Sequence, residues 1–334
     1  MTLELAVKAF ILHSYGSPED LKLTDVETPE PRQDEVVVRV RATSVQPYDW
    51  HHMRGEPYLS RLMPGTLGLR KPKISILGAD VAGQVENVGA EVTEFRRGDS
   101  VFTMLEQGGF AEYVRVNADR LAPMPANLSF EEAAAVPMAA STALVASRDA
   151  GRVEPGQRVL VNGASGGVGT FAVQLARAFG AHVTGVCSTR NVELVRSIGA
   201  DGVIDYARTD FTRTTQRYDL LVDVAGSRSA WNCRRVLTRK GTFVAVGGPA
   251  GRWLQPAGHV FAALAMSPFV PQRIALADVV RAVHVKQNLL TLTELIESGA
   301  VRPVIDRSFP FVEIPSALAY QEAGRASGKV VVTI

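Results

Sequence analysis

A chain of 334 residues gives room for two domains of ordinary size. Its composition, 46% hydrophobic and 21% charged, is globular, which excludes a disordered or low-complexity chain. The net charge of +2, from 36 Lys and Arg against 34 Asp and Glu, excludes a strong electrostatic footprint for nucleic acid or an anionic membrane.

The first third reads as β. Short β-rich runs at 36–41, 74–77, 81–88, 100–103 and 113–116 are separated by turn signals such as Pro29-Glu-Pro31, Gly89, Arg97-Gly-Asp99 and Gly108-Gly109. Strands at this spacing without long helices between them predict a small barrel-like β domain. Residues 131–150 read as helix, broken or kinked near Pro137. The longest apolar stretch, 133–146, contains that proline and is too short to span a bilayer. The N-terminus carries an early acid and lacks a basic region followed by an apolar core, so a soluble cytoplasmic protein is expected.

From Arg158 the rhythm changes to βα alternation. Strands are predicted at 159–162, 182–187, 202–204, 220–224, 242–246 and 279–285, most followed by a helical or turn segment. The first of them is the most informative. The apolar run ending at Asn162 breaks into Gly163-Ala164-Ser165-Gly166-Gly167-Val168-Gly169, then continues as Phe171, Ala172, Leu175, Ala176 and Phe179 at helical spacing. A strand, a tight glycine turn and an amphipathic helix place a pyrophosphate on a helix N-terminus. In Ala164-x-Gly166-x-x-Gly169, alanine replaces the first glycine of the dinucleotide fingerprint. Gly166 would let the backbone approach the pyrophosphate, and Gly169 would let helix and strand pack closely.

The end of the second strand discriminates between nicotinamide cofactors. A free ribose 2′-hydroxyl calls for an Asp or Glu there, but the chain reads Cys187-Ser188-Thr189-Arg190. Hydroxyls and a guanidinium suit a phosphate dianion, so NADP(H) is expected, with Tyr206 reaching the adenosine end. Ser188 to Asn191 supply capping residues for a helix at 192–198, which Gly199 stops. After a last helix ending near Glu297 the tail returns to β at 304–305 and 329–334. One domain is thus expected from both chain ends, with the cofactor domain inserted, and the cleft between them is the expected site. Cys187 and Cys233, without disulfide or metal-ligand spacing, are expected to be buried thiols.

Together these residues resemble the zinc-independent branch of the medium-chain dehydrogenase/reductases, the quinone oxidoreductase group. The resemblance runs along essentially the whole chain, through Ala42-Thr-Ser-Val-Gln-Pro-Tyr-Asp-Trp50, Leu77-Gly-Ala-Asp-Val-Ala-Gly83, Gly109-Phe-Ala-Glu-Tyr-Val114, Val203-Ile-Asp-Tyr206 and Gly328-Lys-Val-Val-Val332. It implies an α/β fold: a GroES-like β-rich catalytic domain from both chain ends (1–128 and 289–334) plus an inserted Rossmann doubly wound parallel sheet (129–288) binding NADP(H). It also implies no metal. Zinc-dependent relatives place a cysteine where Gln46 stands, a His-Glu pair where Ala79-Asp80 stands and a cysteine near Met138, and one acid does not make a tetrahedral site. The adjacent His51-His52 is expected in a solvated loop.

Without a Lewis acid, the acceptors implied are those that take hydride readily: lipophilic quinones and α,β-unsaturated carbonyls. Tyr48 is the candidate donor to the developing oxygen charge, with the alternative of a buried aromatic. Gln46 stands where the family usually has asparagine, which leaves its contact open. By resemblance, Thr142 lies near the nicotinamide and Gly247-Gly248 lets the cofactor pass the backbone. Lys286 and Asn288 end the last strand near the nicotinamide, and Arg325 reaches the adenosine phosphate. The basic loop 54–72 reads as a lid, and 253–269 as an apolar pocket lining or dimer interface; core packing is the alternative for both. A homodimer is expected. Two other functions stay open: an enoyl-thioester or 2-alkenal reductase of a specialised pathway, and an NADPH-binding regulatory protein with little turnover.

Overall fold

Residues 6–62, 67–248, 251–253, 257–277 and 284–334 are described by the structure, a computed structural model. The chain divides into two compact units, Met1–Met138 with Val283–Glu297 and Pro303–Ile334, and Ala139–Ala282 with Ser298–Arg302.

One strand organises the first unit. Glu35–Val45 is rich in β-branched residues, and most of its side chains are buried. One edge pairs antiparallel with Asp80–Val88. The other edge is shared: residues 35–39 face Tyr113–Asn117, and residues 42–45 face the C-terminal strand Lys329–Thr333. Both ends of the chain therefore meet on one strand. The sheet continues through Ser100–Met104 to Ala122–Pro123 on one side and Ile305–Pro310 on the other. Two apolar clusters fill the unit, one around Phe10, Met53, Leu77 and Phe110, the other around Val38, Val81, Val101 and Leu121.

The predicted strand at 74–77 does not form. Only Ile76 makes a bridge, to Ile11, and the antiparallel pair Val7–Ile11 with Lys22–Val26 was not foreseen. Residues 129–138 and 284–288, which the sequence reading puts in the cofactor domain, fall in the first unit. There the Met138 N–H donates to Asp80 Oδ1 at 2.8 Å, and Glu297 and Ile296, at the end of helix Val285–Glu297, accept from Ala126 and Asn127.

The second unit is a six-stranded parallel sheet. Its spatial order is Gly202–Asp205, His182–Cys187, Arg158–Asn162, Tyr218–Asp223, Leu237–Ala245 and Arg273–Leu276, which is the doubly wound order 3-2-1-4-5-6. The sixth strand corrects the prediction: it is Arg273–Leu276, and of the predicted 279–285 only 284 and 285 lie within the described residues. Val285 opens a helix instead. Proline breaks the helical stretch as foreseen, into Phe130–Ala134 and Pro137–Leu144, followed by a π-helical segment at Val145–Gly151. Residues 298–302 join this unit through Gln174, whose amide donates to the Arg302 carbonyl and accepts from its N–H.

Close backbone approach fixes the first crossover. A Cβ placed on Gly169, in helix Gly167–Ala178, would lie 2.0 Å from the Gly163 carbonyl oxygen. Gly169→Ala should therefore force helix and turn apart. The helix-propensity gain of about 1 kcal/mol is outweighed, and a net loss of roughly 1–3 kcal/mol is expected in urea unfolding. Unchanged stability would show that the turn yields freely.

Candidate active site

The glycine turn sits at the carboxyl end of strand Arg158–Asn162, beside Tyr218–Asp223, where the strand order reverses. Gly163 takes φ +89°, and the Gly163 and Ala164 N–H groups donate to the Val186 carbonyl. Gly166 is the N-cap of helix Gly167–Ala178, and an added Cβ there would meet nothing closer than 3.6 Å. The amides of Gly167, Val168 and Gly169 lie in the first turn, where no intrahelical acceptor exists. An open cradle, first-turn amides and a helix dipole fit a pyrophosphate. Asn191, which the sequence offers as a capping residue, instead donates from Nδ2 to Ser165 Oγ at 2.9 Å and ties this loop to the end of the second strand.

At that strand end the structure adds an acid. Ser188, Thr189 and exposed Arg190 follow Cys187 as foreseen, but the Thr189 hydroxyl donates to Asp205 Oδ2 at 2.6 Å. Asp205 ends the neighbouring strand and also accepts from the Ala207 N–H and pairs with Arg208. These contacts, the Thr189 bond first, hold its carboxyl below the usual range. Tyr206, next to it, is 57% exposed. Deeper in the unit, Asp223 Oδ1 accepts from Asn162 Nδ2 and Gly226 N–H, while His259 Nε2 lies 3.0 Å from Oδ2. A Cβ on Gly247 would strike the Val224 carbonyl oxygen at 2.4 Å, so glycine is required there by packing against the neighbouring strand end; Gly248 follows it. Thr142 is buried in helix Pro137–Leu144. Cys187 and Cys233 are buried thiols, and burial pushes the first up to about 11.

The first unit holds a buried polar cluster. Gln46 caps helix Pro47–Arg54, with proline at its first position. The Gln46 backbone N–H donates to Asp49 Oδ2 at 2.9 Å. Lys329, 3% exposed, donates to Gln46 Oε1 at 3.0 Å and to Asp80 Oδ2 at 3.2 Å. Asp80, fully buried, also receives the Ser44 hydroxyl at 2.6 Å and the Met138 N–H. Among the described residues, Gln46 Nε2, Asp49 Oδ1 and both amide atoms of Gln107 are buried without a hydrogen-bond partner. Neither Lys329 nor Gln107 was singled out from the sequence. Among the described residues Lys329 carries the charge that pairs with Asp80, and a buried terminal strand starting on lysine was the signal available.

Other candidates fall elsewhere. Tyr48 is half-buried in the first turn of helix Pro47–Arg54, its ring 4.3 Å from that of His52. His51 and His52 lie in that helix rather than a solvated loop; burial and the neighbouring His52 lower His51 to about 4. Lys286 and Asn288 are in the first turn of helix Val285–Glu297, in the first unit, not at a strand end; Lys286 pairs with Glu94. Arg325 is exposed, also in the first unit. Of the predicted lid, 63–66 lie outside the described residues. Before them, Arg54 ends helix Pro47–Arg54 and residues Tyr58–Leu62 form a short helix, where Arg61 stacks on Tyr15 and Tyr58. Among the described residues no group of three or more His, Cys, Asp or Glu is placed to hold a metal ion, and no helix is long and apolar enough to cross a membrane.

Asp49 gives this cluster a pH signature. Burial and the neighbouring Asp80 raise it from 3.8 to about 7. Between those values the native state holds a proton that the unfolded chain has released, so its stability falls as pH rises through the window. Asp49→Asn removes that slope. Relative to wild type the variant should gain on the order of 4 kcal/mol from pH 4 to pH 7, measured by urea unfolding at each pH. A difference that stays constant with pH would show Asp49 ionised throughout.

The family description "alcohol dehydrogenase GroES-like domain" matches residues 32–126, and "zinc-binding dehydrogenase" matches 198–332. The mouse mitochondrial NAD(P)H oxidoreductase RTN4IP1 is 33% identical over 98% of this chain and 89% of its own length. The chloroplastic NADPH-dependent alkenal/one oxidoreductase of Arabidopsis thaliana is 32% identical over 98% of this chain and 79% of its own. The solved quinone oxidoreductase from Coxiella burnetii superposes with a TM-score of 0.83 at 28% identity, over 98% of this chain and 99% of that one. With the doubly wound sheet and the shared β-rich unit, these likenesses make the chain a member of the quinone oxidoreductase group of the medium-chain dehydrogenase/reductases.

Proposed function

We propose that this chain is an NADP(H)-dependent oxidoreductase that reduces a quinone or an α,β-unsaturated carbonyl without a metal. The observation that carries the reading is the glycine turn 163–169, opening a helix at the reversal point of a parallel sheet. Bound there, the cofactor supplies the hydride. Ala164, Ser165, Gly166, Gly167, Val168 and Gly169 cradle its pyrophosphate with backbone amides. Ser188 and Arg190 take the 2′-phosphate, with Tyr206 beside them. The carboxylate of Asp205 opposes a second anion, and its bonds to Thr189 and Arg208 offset that opposition.

In the first unit, Tyr48 and Gln46 hold the acceptor's oxygen, where negative charge grows as the acceptor is reduced. Donors fixed in place before that charge develops stabilise it at little reorganisation cost. The residues do not fit zinc. Gln46, Ala79 and Met138 offer no thiolate or imidazole, and the oxygens of Gln46 and Asp80 already bind an ammonium, which repels a dication. The names of the relatives, which include a quinone and an alkenal/one oxidoreductase, support both acceptor classes.

NADPH oxidation over a panel of quinones, enals and enones tests the reading, with NADH as control. Turnover on at least one acceptor class, faster with NADPH, is expected; no turnover on any would overturn it. Arg190→Ala should raise KM for NADPH about 10–100-fold, the worth of one charge-assisted contact, and leave NADH unchanged. Equal effects on both cofactors would refute the 2′-phosphate assignment.

We also infer a homodimer through the second unit. Strand Arg273–Leu276 ends its sheet, and the exposed apolar residues Phe261, Leu264, Phe269 and Leu276 lie in the same stretch of chain, Phe269 being 79% exposed. An edge strand with no further partner among the described residues, in a stretch that also carries exposed apolar side chains, favours pairing with a second copy. Light scattering should give twice the chain mass, and Phe261→Asp with Phe269→Glu should halve it. A monomeric wild type would rule the dimer out.

A further inference from the structure

Lys329 decides which end of the Gln46 amide is free. An ammonium carries donors and no acceptor, so the atom it holds at 3.0 Å is the amide oxygen. The amide nitrogen is then turned away from Lys329. Gln46 is only 5% exposed, yet its Nε2 finds no partner among the described residues. A buried N–H group left unpaired is uncommon and destabilising, so an absent partner requires an explanation.

The lysine is itself held. Asp80 Oδ2 receives it, and Asp80 is set in turn by the Ser44 hydroxyl and the Met138 N–H. The Gln46 backbone is fixed independently by its N–H bond to Asp49 Oδ2. Main chain and amide oxygen are therefore both committed, and rotation of the amide would set its N–H groups against an ammonium.

We propose that Lys329 is a positioning residue that locks the Gln46 amide so that Nε2 donates to the carbonyl oxygen of the acceptor. This rests on the redox reading above and deepens it. The ligand class is a quinone or enone oxygen that gains negative charge. Bonding of the amide oxygen to a cation polarises the amide and strengthens its N–H groups as donors. A neutral amide stabilises that charge with a hydrogen bond and gives up no proton, so the proton that completes the reduction comes from another group.

The test uses the full-length enzyme with two readouts, acceptor kinetics and the side-chain amide resonance of Gln46 in protein labelled with 15N-glutamine, assigned by its loss in Gln46→Leu. Gln46→Leu should lower kcat about 100-fold, the typical effect of removing one such donor, with KM for NADPH unchanged. Gln46→Glu keeps a partner for Lys329 but has no N–H, and should lose as much. Because Lys329→Met alone leaves Asp80 buried without its cation and risks misfolding, it is paired with Asp80→Asn. The double variant should lower kcat about 10–100-fold and shift the Gln46 amide resonance, while Lys329→Arg restores both. Wild-type kcat in Gln46→Leu, or an unmoved resonance in the double variant, overturns the proposal. If the wild-type enzyme reduces no acceptor, the redox reading fails by itself. The donor role then falls with it, and the resonance still confirms or refutes the lock.

Discussion

The buried ion pair of Asp80 and Lys329 is the constraint on which the first unit is built. Two charges removed from water persist only if their remaining hydrogen-bonding capacity is met nearby, and deleting one partner of such a pair typically costs about 3–5 kcal/mol. Meeting that demand draws in three segments far apart in sequence: Ser44 and Gln46, where the organising strand passes into a helix, Met138 at the start of another helix, and Lys329 at the start of the final strand. The C-terminal strand could pair with residues 42–45 in more than one register on hydrophobicity alone, because Val330, Val331 and Val332 are alike. A charge that must reach Asp80 permits only one.

The second unit depends on closeness instead of charge. Its first crossover requires glycine at 169 because the helix backbone lies against the Gly163 carbonyl, and glycine at 185 because Val195 and Ala164 press on that strand. Side chains are excluded where main chain packs against main chain or a neighbouring side chain, and a polar side chain pins the loop from outside, as Asn191 does through Ser165. One unit thus presents backbone donors and the other side-chain donors. Each is held by a different kind of bond.

What could be read from the sequence follows the same division. The glycine turn, the strands flanking it and the break at Pro137 were legible because local chemistry determines them: φ +89° at Gly163 and the missing N–H of proline are properties of single residues. The long strand Glu35–Val45 was legible for most of its length from β-branched alternation. Partners distant in sequence were not. Asp205 was overlooked as a neighbour of Thr189 because only the parallel pairing of two strands brings them together. Lys329 stands in a terminal motif, but nothing local shows that its ammonium reaches Gln46, 283 residues away. The sixth strand was placed several residues late because 273–276 is short and lies among apolar residues of every period.

Charge balance in the buried cluster joins these points to the chemistry. Two carboxyls, Asp49 and Asp80, lie within the influence of one ammonium. Of the two carboxyls only Asp80 accepts from the lysine, which also holds Gln46; Asp49 accepts a backbone N–H on one oxygen, and its other oxygen has no hydrogen-bond partner among the described residues. Burial and the charge of Asp80 then keep a proton on Asp49 to about pH 7. A divalent metal in this place would have favoured ionised ligands and supplied Lewis acidity. An ammonium with a neutral carboxyl beside it leaves donors, namely an amide N–H and a carboxylic acid, where a metal would need acceptors. On the proposed reading, this exchange of acceptors for donors is what shifts the group from polarising an alcohol or ketone to steadying an oxygen that becomes negative as hydride arrives.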